Sequence, residues 1–316
     1  MQRPAPNPIL EFVERQGVMV LDGGLATTLE ARGHALDDAL WSARLLLDAP
    51  DAIRSLHRDF LEAGADCITS ASYQASLAGF AERGLSEAHG VELLEDSVRL
   101  AVEARDAFWG DEAGRGSRLR PLVAASVGPY GAFLADGSEY TGRYGIGDVE
   151  LRTFHRERWH VLAESRADLL ACETIPSGQE AEVLLGLLGE TPGRWAWLSF
   201  SCRDGAHLSD GSRLSDVARL CDAVPDVAGV GINCTAPELV SPLLGEARRA
   251  TGKPILVYPN SGERYDVVRR IWLGDSGSTD WAAACAEWSR LGAAAIGGCC
   301  RVGPADIGAM RRQLVS

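Results

Sequence analysis

The stretch AAAIGGCC, residues 293–300, is an apolar run that ends in two glycines and two adjacent cysteines, Cys299 and Cys300. Neighbouring side chains of an extended strand point to opposite faces, so this pair cannot line one core while the strand continues. The two glycines provide the backbone freedom to end the strand and to turn both sulfur atoms toward one point. The stretch therefore predicts a strand whose carboxyl end belongs to a site.

Seven further runs share this design, because each is apolar and ends in polar, glycine or cysteine residues. They occupy residues 18–24, 66–74, 121–129, 168–176, 195–202, 230–235 and 254–260. The longer stretches between the runs are amphipathic, a pattern typical of βα units around a parallel sheet. Eight units of roughly 40 residues each match the usual size of a barrel of this type. We predict an α/β fold, a single-domain (β/α)8 TIM barrel over residues 1–316, with the site at the carboxyl ends of its strands.

An open, doubly wound sheet is the alternative fold. The sequence has no G-x-G-x-x-G after its first run and no Walker A motif, so a nucleotide-binding fold is disfavoured. Two connections are unusually long and rich in glycine and aromatic residues, at residues 129–147 and 261–277. Long ordered connections of this kind often cover a site, so we predict that both act as lids.

Composition limits the class of protein. Apolar residues make up 46% and charged residues 24%, as in ordinary globular domains, and no apolar stretch reaches the ~20 residues that span a bilayer. The net charge of −13 argues against nucleic acid and anionic membranes as partners and mildly favours a cationic small molecule. The charged N-terminus does not resemble a secretory signal, so we expect a cytoplasmic protein with reduced cysteines.

Cys234 ends the sixth run, and it should lie on the same face of the barrel as Cys299 and Cys300. Three thiolates with a fourth, exchangeable position are the layout of a catalytic zinc site. A redox-active vicinal dithiol is the main rival for the adjacent pair, and burial as a small apolar side chain is the rival for Cys234. The other cysteines are predicted to be core residues: Cys67, Cys172, Cys202, Cys221 and Cys285.

Several motifs, in order along the chain, resemble those of the homocysteine S-methyltransferases, in particular the cobalamin-independent type that uses S-methylmethionine or S-adenosylmethionine. They are LDGGLATTLE, SASYQAS, VGPYGAFLADGSEYTG, ACETIPS, GINCT, YPNSGE and GGCC, between residues 21 and 300. The resemblance implies that Cys234, Cys299 and Cys300 bind zinc. It also implies that Asp22, the backbone at Gly23 and Gly24, and Glu173 hold the amino and carboxylate ends of homocysteine. Strand-ending turn or solvated loop positions are the alternatives for the two acids.

The reaction implied is attack of the homocysteine sulfur on the methyl group of a sulfonium, which leaves as a neutral thioether. That departure needs no general acid, so we predict no catalytic residue beyond the metal site. The cationic donor should favour aromatic side chains, because a cation is attracted to a ring face. The candidates for donor binding are Trp41, Tyr73, Tyr130 and Tyr140, with packing under a lid as the alternative. The histidines are scattered and are predicted to be surface or packing residues.

Three other functions remain open at this stage. A betaine-using homocysteine methyltransferase would share the three cysteines. A thiol-redox enzyme would use Cys299 and Cys300, and a non-catalytic zinc-binding barrel would hold the metal without turnover. The metal content and the need for each cysteine distinguish these classes.

Overall fold

The computed structural model describes residues 6–34, 44–266, 271–273 and 279–315. Within these ranges, eight strands form one parallel sheet, and two more form a separate antiparallel hairpin. Numbered in chain order, the strands of the large sheet are β1 (Met19–Val20), β2 (Cys67–Thr69), β3 (Leu122–Val127), β4 (Leu169–Ile175), β5 (Ala196–Phe200), β6 (Val227–Asn233), β7 (Ile255–Tyr258) and β10 (Ala295–Ile296). The hairpin consists of β8 (Arg264–Asp266) and β9 (Ile271–Leu273).

The large sheet closes into a barrel. Its strand order is β1-β10-β7-β6-β5-β4-β3-β2, with every neighbouring pair parallel. A parallel bridge between Leu21 and Cys67 joins the two ends of this order, and Asp66 N–H donates to the Val20 carbonyl across the same seam at 2.6 Å. The predicted (β/α)8 barrel is thereby confirmed.

Helices surround the sheet and connect its strands. In chain order they are α1 (Pro8–Gln16), α2 (Leu25–Ala31), α3 (Leu45–Asp48), α4 (Pro50–Ala63), α5 (Leu77–Glu82), α6 (Glu87–Gly110), α7 (Glu112–Arg115), α8 (Tyr130–Leu134), α9 (Asp148–Glu164), α10 (Gly178–Leu188), α11 (Leu214–Asp222), α12 (Val240–Arg248), α13 (Trp281–Arg290) and α14 (Pro304–Leu314). None of the helices in the described part of the chain has the length and apolar character needed to cross a membrane.

Each of the eight predicted runs overlaps one strand of the barrel. Seven runs contain their strand entirely, whereas β6 begins three residues before its predicted run. The difference arises at Gly229, which interrupts the apolar pattern. The pairing between β5 and β6 shifts register there, since Ala196 pairs with Val227 while Trp197 pairs with Gly229. A Cβ at Gly229 would lie 2.5 Å from a side-chain carbon of Leu256, so close packing explains the glycine.

The barrel interior follows the two-residue alternation of a strand. In β4, Leu169 and Ala171 belong to the inner core cluster, whereas Leu170 and Cys172 pack outward against the helices. The inner cluster includes Met19, Leu21, Cys67, Ala124, Leu169, Ala171, Trp197, Ala228, Leu256, Tyr258 and Ala295. The amino-terminal ends of the strands are therefore packed with apolar side chains, and the same alternation directs later polar residues toward the interior at the carboxyl ends.

Helix α1 closes the amino-terminal end of the barrel, a feature that the sequence analysis missed. Ile9 and Phe12 are fully buried in the inner cluster, and the Asn7 side chain donates to the Ala228 carbonyl at 2.8 Å. Asn7 also caps the helix by accepting from Ile9 N–H at 3.1 Å. The open end of the barrel is consequently the carboxyl end, where the site forms.

A buried carboxylate secures the seam between β1 and β2. Asp66 is fully buried and accepts from both Arg311 and Arg118, at 2.7 Å and 3.4 Å. It also accepts from Val20 N–H at 3.0 Å and from the Gln16 side chain at 2.5 Å. Since the paired charges are largely removed from water, the loss of one partner leaves the others uncompensated.

Replacement of this carboxylate should destabilise the barrel. We expect Asp66→Asn to lower the free energy of unfolding by about 3 kcal/mol, because two largely shielded guanidinium groups lose their counter-charge. Asp51→Asn is the control, since Asp51 pairs with Arg54 at 2.9 Å but is 86% exposed; its effect should stay below about 0.5 kcal/mol. Chemical denaturation measures both, and equal stability of the two variants would contradict the role of Asp66.

Candidate metal and substrate site

Three cysteine sulfurs meet at the carboxyl end of the barrel. Cys234 follows β6, and Cys299 and Cys300 follow β10. The three sulfur atoms all lie within 4.8 Å of one another, and those of Cys234 and Cys300 are 3.7 Å apart. A tetrahedral zinc ion with Zn–S bonds of about 2.3 Å requires sulfur–sulfur edges of ~3.8 Å. The cluster therefore fits a metal ion of this size.

The backbone around the cysteine pair explains how two adjacent thiols face one point. Strand β10 ends at Ile296, after which Gly298 N–H donates to the Asp22 carbonyl and Cys299 N–H to the Pro259 carbonyl, at 3.0 Å and 2.7 Å. A Cβ at Gly298 would lie 2.1 Å from a side-chain carbon of Val302. The chain therefore leaves the pleat before the pair, and the strand alternation no longer applies to it.

Non-glycine residues in the left-handed region cluster around the same site. Cys234 has φ = 47°, Thr174 has φ = 62° and Arg301 has φ = 67°. This region is costly for a β-branched residue, and such conformations persist where the surroundings impose them. For Thr174 the constraint is Asn233, whose side chain accepts from Thr174 N–H and donates to its hydroxyl, both at 2.8 Å. Asn233 thus ties the end of β4 to the residue before Cys234.

The electrostatics of the cluster link its protonation to metal binding. The hydrogen bonds among the sulfurs of Cys234, Cys299 and Cys300 act in both directions, and with burial and the charge of the neighbouring thiols the pKa of each thiol is well above its ordinary range. Three thiolates cannot coexist at this distance without a counter-charge. A divalent ion reverses this balance by deprotonating its ligands, so metal binding should release protons.

Two carboxyl groups lie beside the sulfur cluster. Asp22 is buried and accepts from Thr69, at 2.7 Å from the N–H and 3.1 Å from the hydroxyl. Glu173 continues the inward alternation of β4 and accepts from the Ser126 hydroxyl at 2.5 Å. Both line one cavity with the three cysteines. The structure therefore brings together the acids and thiols that the sequence singled out.

Both acids have raised pKa values. Burial, with a contribution from the charge of Glu173, raises the pKa of Asp22 to about 8 despite the hydrogen bonds from Thr69. Burial raises the pKa of Glu173 to about 7, opposed by hydrogen bonds from Ser126 and Tyr258. A bound ammonium group would stabilise both carboxylates and shift their pKa values downward. This pair is suited to a cationic amino group.

Gly23 and Gly24 also line the cavity, and close packing explains both. A Cβ at Gly23 would lie 2.2 Å from the Val302 carbonyl oxygen, and one at Gly24 would lie 2.5 Å from the Cys299 carbonyl oxygen. Gly24 N–H donates to the Val302 carbonyl at 2.9 Å. The absence of a side chain at Gly24 therefore lets the turn after β1 pack closely against the turn that carries Cys299 and Cys300. The N–H of Gly24 already has a hydrogen-bond partner within the protein.

The cavity measures about 920 Å³, part of which is open to solvent. Of the donor candidates, Tyr73 and Tyr140 line it. Tyr130 is not among its described lining residues; its ring packs against Phe133, Tyr144 and Phe154 with centroid distances of 4.8–5.7 Å. Trp41 lies outside the described residues. The connection at residues 129–147 does reach the site, because Tyr140 belongs to it.

Several polar residues of the site were missed by the sequence analysis. Tyr258, on β7, accepts from the Trp197 indole at 3.0 Å and contacts the Ser199 hydroxyl. Together with Ser126 and Asn233, these residues occupy inward positions near the carboxyl ends of their strands. The two-residue alternation, extended from the apolar part of each strand, is the signal that would have found them.

The sulfur cluster leads to a direct prediction of metal content. Cys234→Ala, Cys299→Ala and Cys300→Ala should each reduce bound zinc from about one ion per chain to a small fraction, since two thiolates make an incomplete site. Cys285→Ala is the control, because Cys285 is a buried core residue on α13. Elemental analysis of the purified proteins measures this, with circular dichroism to verify folding. A folded variant that retains full zinc would remove its cysteine from the ligand set.

Comparisons with known proteins agree with this geometry. Residues 19–314 match the model of the homocysteine S-methyltransferase family. The homocysteine S-methyltransferase YbgG of Bacillus subtilis is 48% identical, over 95% of this chain and 96% of its own length. A selenocysteine Se-methyltransferase of Brassica oleracea is 46% identical, over 96% of this chain and 90% of its own.

A solved structure resembles the whole fold. The crystal structure of the homocysteine methyltransferase MmuM from Escherichia coli, in its metallated form, superposes with a TM-score of 0.87 and 44% identity, covering 97% of this chain and 99% of the other. The family match and these relatives each span nearly the full barrel, including both strand ends that carry the cysteines. The chain therefore belongs to the homocysteine S-methyltransferase family and is an enzyme that methylates homocysteine.

Proposed function

We propose that this enzyme transfers a methyl group from a sulfonium donor, S-methylmethionine or S-adenosylmethionine, to L-homocysteine held on zinc by Cys234, Cys299 and Cys300. The observation that carries the proposal is the position of three sulfurs, all within 4.8 Å of one another, in the cavity that Asp22 and Glu173 also line. Homocysteine has a thiol, an ammonium and a carboxylate, and this cavity has a partner set for the first two: the cysteines for the thiol and the acids for the ammonium.

The metal accounts for the reactivity of the acceptor. Zinc, when bound, lowers the pKa of a coordinated thiol, and so supplies the substrate sulfur as a thiolate at neutral pH. Sulfur ligands are soft and suit zinc better than magnesium or calcium. The need for reduced cysteines also supports a cytoplasmic location for the protein.

The two acids are assigned to the amino group of homocysteine. The charge of Glu173 contributes to the raised pKa of Asp22, so the two carboxyl groups are electrostatic neighbours. An ammonium between them would gain charge-assisted hydrogen bonds and relieve that repulsion. Its binding would orient the thiol toward the cysteine cluster.

The donor half of the reaction requires a cation-binding wall and no proton transfer. The acceptor sulfur forms a bond to the methyl carbon while the methyl–sulfonium bond breaks, and the electron pair of that bond leaves with a neutral thioether. The proton of the homocysteine thiol passes to solvent when the thiolate forms. Tyr73 and Tyr140 line the cavity and present aromatic surface to such a donor.

Parallel turnover assays test the proposal. Zinc-loaded protein should convert homocysteine to methionine with S-methylmethionine or S-adenosylmethionine, and should show little turnover with betaine, whose methyl group is bound to nitrogen. Cys234→Ala, assayed alongside, should have no activity with any donor. Turnover with betaine alone would contradict the sulfonium assignment, and equal turnover by Cys234→Ala would contradict the role of the cysteine cluster.

The raised pKa of Glu173 predicts a pH-dependent advantage for homocysteine binding. Above its pKa of about 7 the carboxyl is ionised and can pair with the substrate ammonium, whereas below it the protonated form cannot. Glu173→Gln should therefore weaken homocysteine binding about tenfold or more at pH 8 and much less at pH 6. Titration calorimetry of both proteins at the two pH values measures this ratio.

Thiol deprotonation affects parent and variant alike, so it cancels from the affinity ratio. Glu238→Gln is the matched control, since Glu238 is exposed and is not among the described residues that line the cavity. An affinity ratio between parent and Glu173→Gln that stays constant from pH 6 to pH 8 would show that this carboxylate does not hold the ammonium. Zinc content should be unchanged in both variants.

A further inference from the structure

A third acidic side chain lines the cavity without a role in the account above. Glu139 lies in the Ser138–Tyr140 turn, within the connection at residues 129–147. Its Oε2 atom is shielded from water and has no hydrogen-bond partner among the described residues. Burial raises the pKa of Glu139 to about 7, and hydrogen bonds from its own backbone and Gly137 offset only part of this effect. A carboxyl group in this state lacks a counter-charge.

The electrostatic neighbours of Glu139 differ from those of the Asp22–Glu173 pair. Its charge contributes to the raised pKa of Tyr73 and of Tyr140, so it is a neighbour of both phenol groups. The acid whose charge raises the pKa of Glu139 itself is Asp136. The aromatic side of the cavity thus has its own negative group.

Gln74 provides a second, independent observation. Gln74 lines the same cavity, is 9% exposed, and its Oε1 atom is buried without a hydrogen-bond partner among the described residues. Its amide group donates to the Ala132 carbonyl at 3.4 Å, which directs the carbonyl oxygen away from that contact. Two residues that line the cavity therefore each have an unpaired acceptor oxygen. Buried polar atoms are seldom left unpaired, so a ligand that brings positive charge or a hydrogen-bond donor would complete this part of the site.

The position of Glu139 is imposed by the surrounding structure. Glu180, which is fully buried, accepts from Tyr130 N–H at 2.6 Å and from the Tyr144 hydroxyl at 2.8 Å, on either side of the turn. His155 lies 2.8 Å from the same carboxylate. A Cβ at Gly131 would lie 2.3 Å from the Glu139 nitrogen, so the two backbone segments are in direct contact. The Ser138–Tyr140 turn is therefore held through residues on both sides of it and by its contact with Gly131.

We propose that Glu139 is the anionic partner of the sulfonium donor, with Gln74 as an acceptor for the donor's ammonium group. This inference rests on the proposed function. A sulfonium centre offers no N–H or O–H group, so it is recognised by negative charge and by ring faces, and this part of the cavity supplies both. Glu139 is then a donor-binding residue, distinct from the acids that hold homocysteine.

The reaction itself makes the kinetic consequence specific. The donor is cationic when it binds and becomes a neutral thioether as the methyl group transfers, so its positive charge decreases toward the transition state. A carboxylate beside it therefore stabilises the bound donor more than the transition state. Removing that charge should raise the donor KM without lowering kcat at saturating donor.

Steady-state kinetics of Glu139→Gln with S-methylmethionine and L-homocysteine test this directly. We expect the donor KM to rise about tenfold or more, corresponding to about 1.4 kcal/mol. The KM of homocysteine, kcat and zinc content should remain within about twofold of the parent. The melting temperature should stay within about 2 °C, because Gln keeps an oxygen that can accept from the backbone N–H groups of Gly137 and residue 139. Glu157→Gln, an exposed glutamate on α9, is the control and should match the parent.

The outcomes separate the two levels of the account. An unchanged donor KM in Glu139→Gln, with an active parent, overturns the role of Glu139 and leaves the proposed function intact. A parallel rise of both KM values or a loss of kcat overturns it as well, because either indicates a positional effect of the turn. Methionine resembles the donor but is uncharged at sulfur, so its inhibition constant against the donor should be the same in the parent and in Glu139→Gln. If that constant rose as much as the donor KM, Glu139 would bind the ammonium group instead of the sulfonium. A parent inactive with every sulfonium overturns the proposed function and this inference together.

Discussion

Three cysteine sulfur atoms within 4.8 Å of one another are the constraint on which the carboxyl end of this barrel depends. They come from two strand ends far apart in sequence, so the closed strand order must bring β6 and β10 to opposite sides of β7. The close contacts around the cysteine turn then exclude side chains at Gly24 and Gly298. Local backbone strain at Cys234 and Arg301 accompanies the same arrangement.

The burial of the cavity around the cysteine cluster also determines the pKa values of the acids that line it. The low-dielectric end of the barrel raises the pKa of Asp22, Glu173 and Glu139, so each acid is costly to ionise until a cation arrives. In such a site, the positive groups of a ligand would supply the counter-charges that these carboxylates lack. Acids buried in this way cost stability and favour cationic ligands, a trade common to binding sites.

The sequence predicted the barrel well because its signal is local. Each strand is a short apolar run with a polar end, and that signal survives without knowledge of tertiary contacts. The three cysteines were also found, since adjacent thiols after glycine have few structural explanations. Features whose importance depends on distant partners were missed. They are the closure of the barrel by helix α1, the β8–β9 hairpin, and the side chains of Asn233, Tyr258 and Glu139. Nothing in the local sequence around Tyr130 indicates that its ring packs against Phe154 outside the cavity.

X-ray absorption at the zinc K edge tests the central claim most directly, because it counts the sulfur neighbours of the metal. We predict that zinc-loaded protein has three sulfur neighbours at about 2.3 Å and one lighter atom, and that saturating L-homocysteine raises the sulfur count to four. A count that stays at three with homocysteine bound would contradict the account, since the substrate sulfur would then react without the metal.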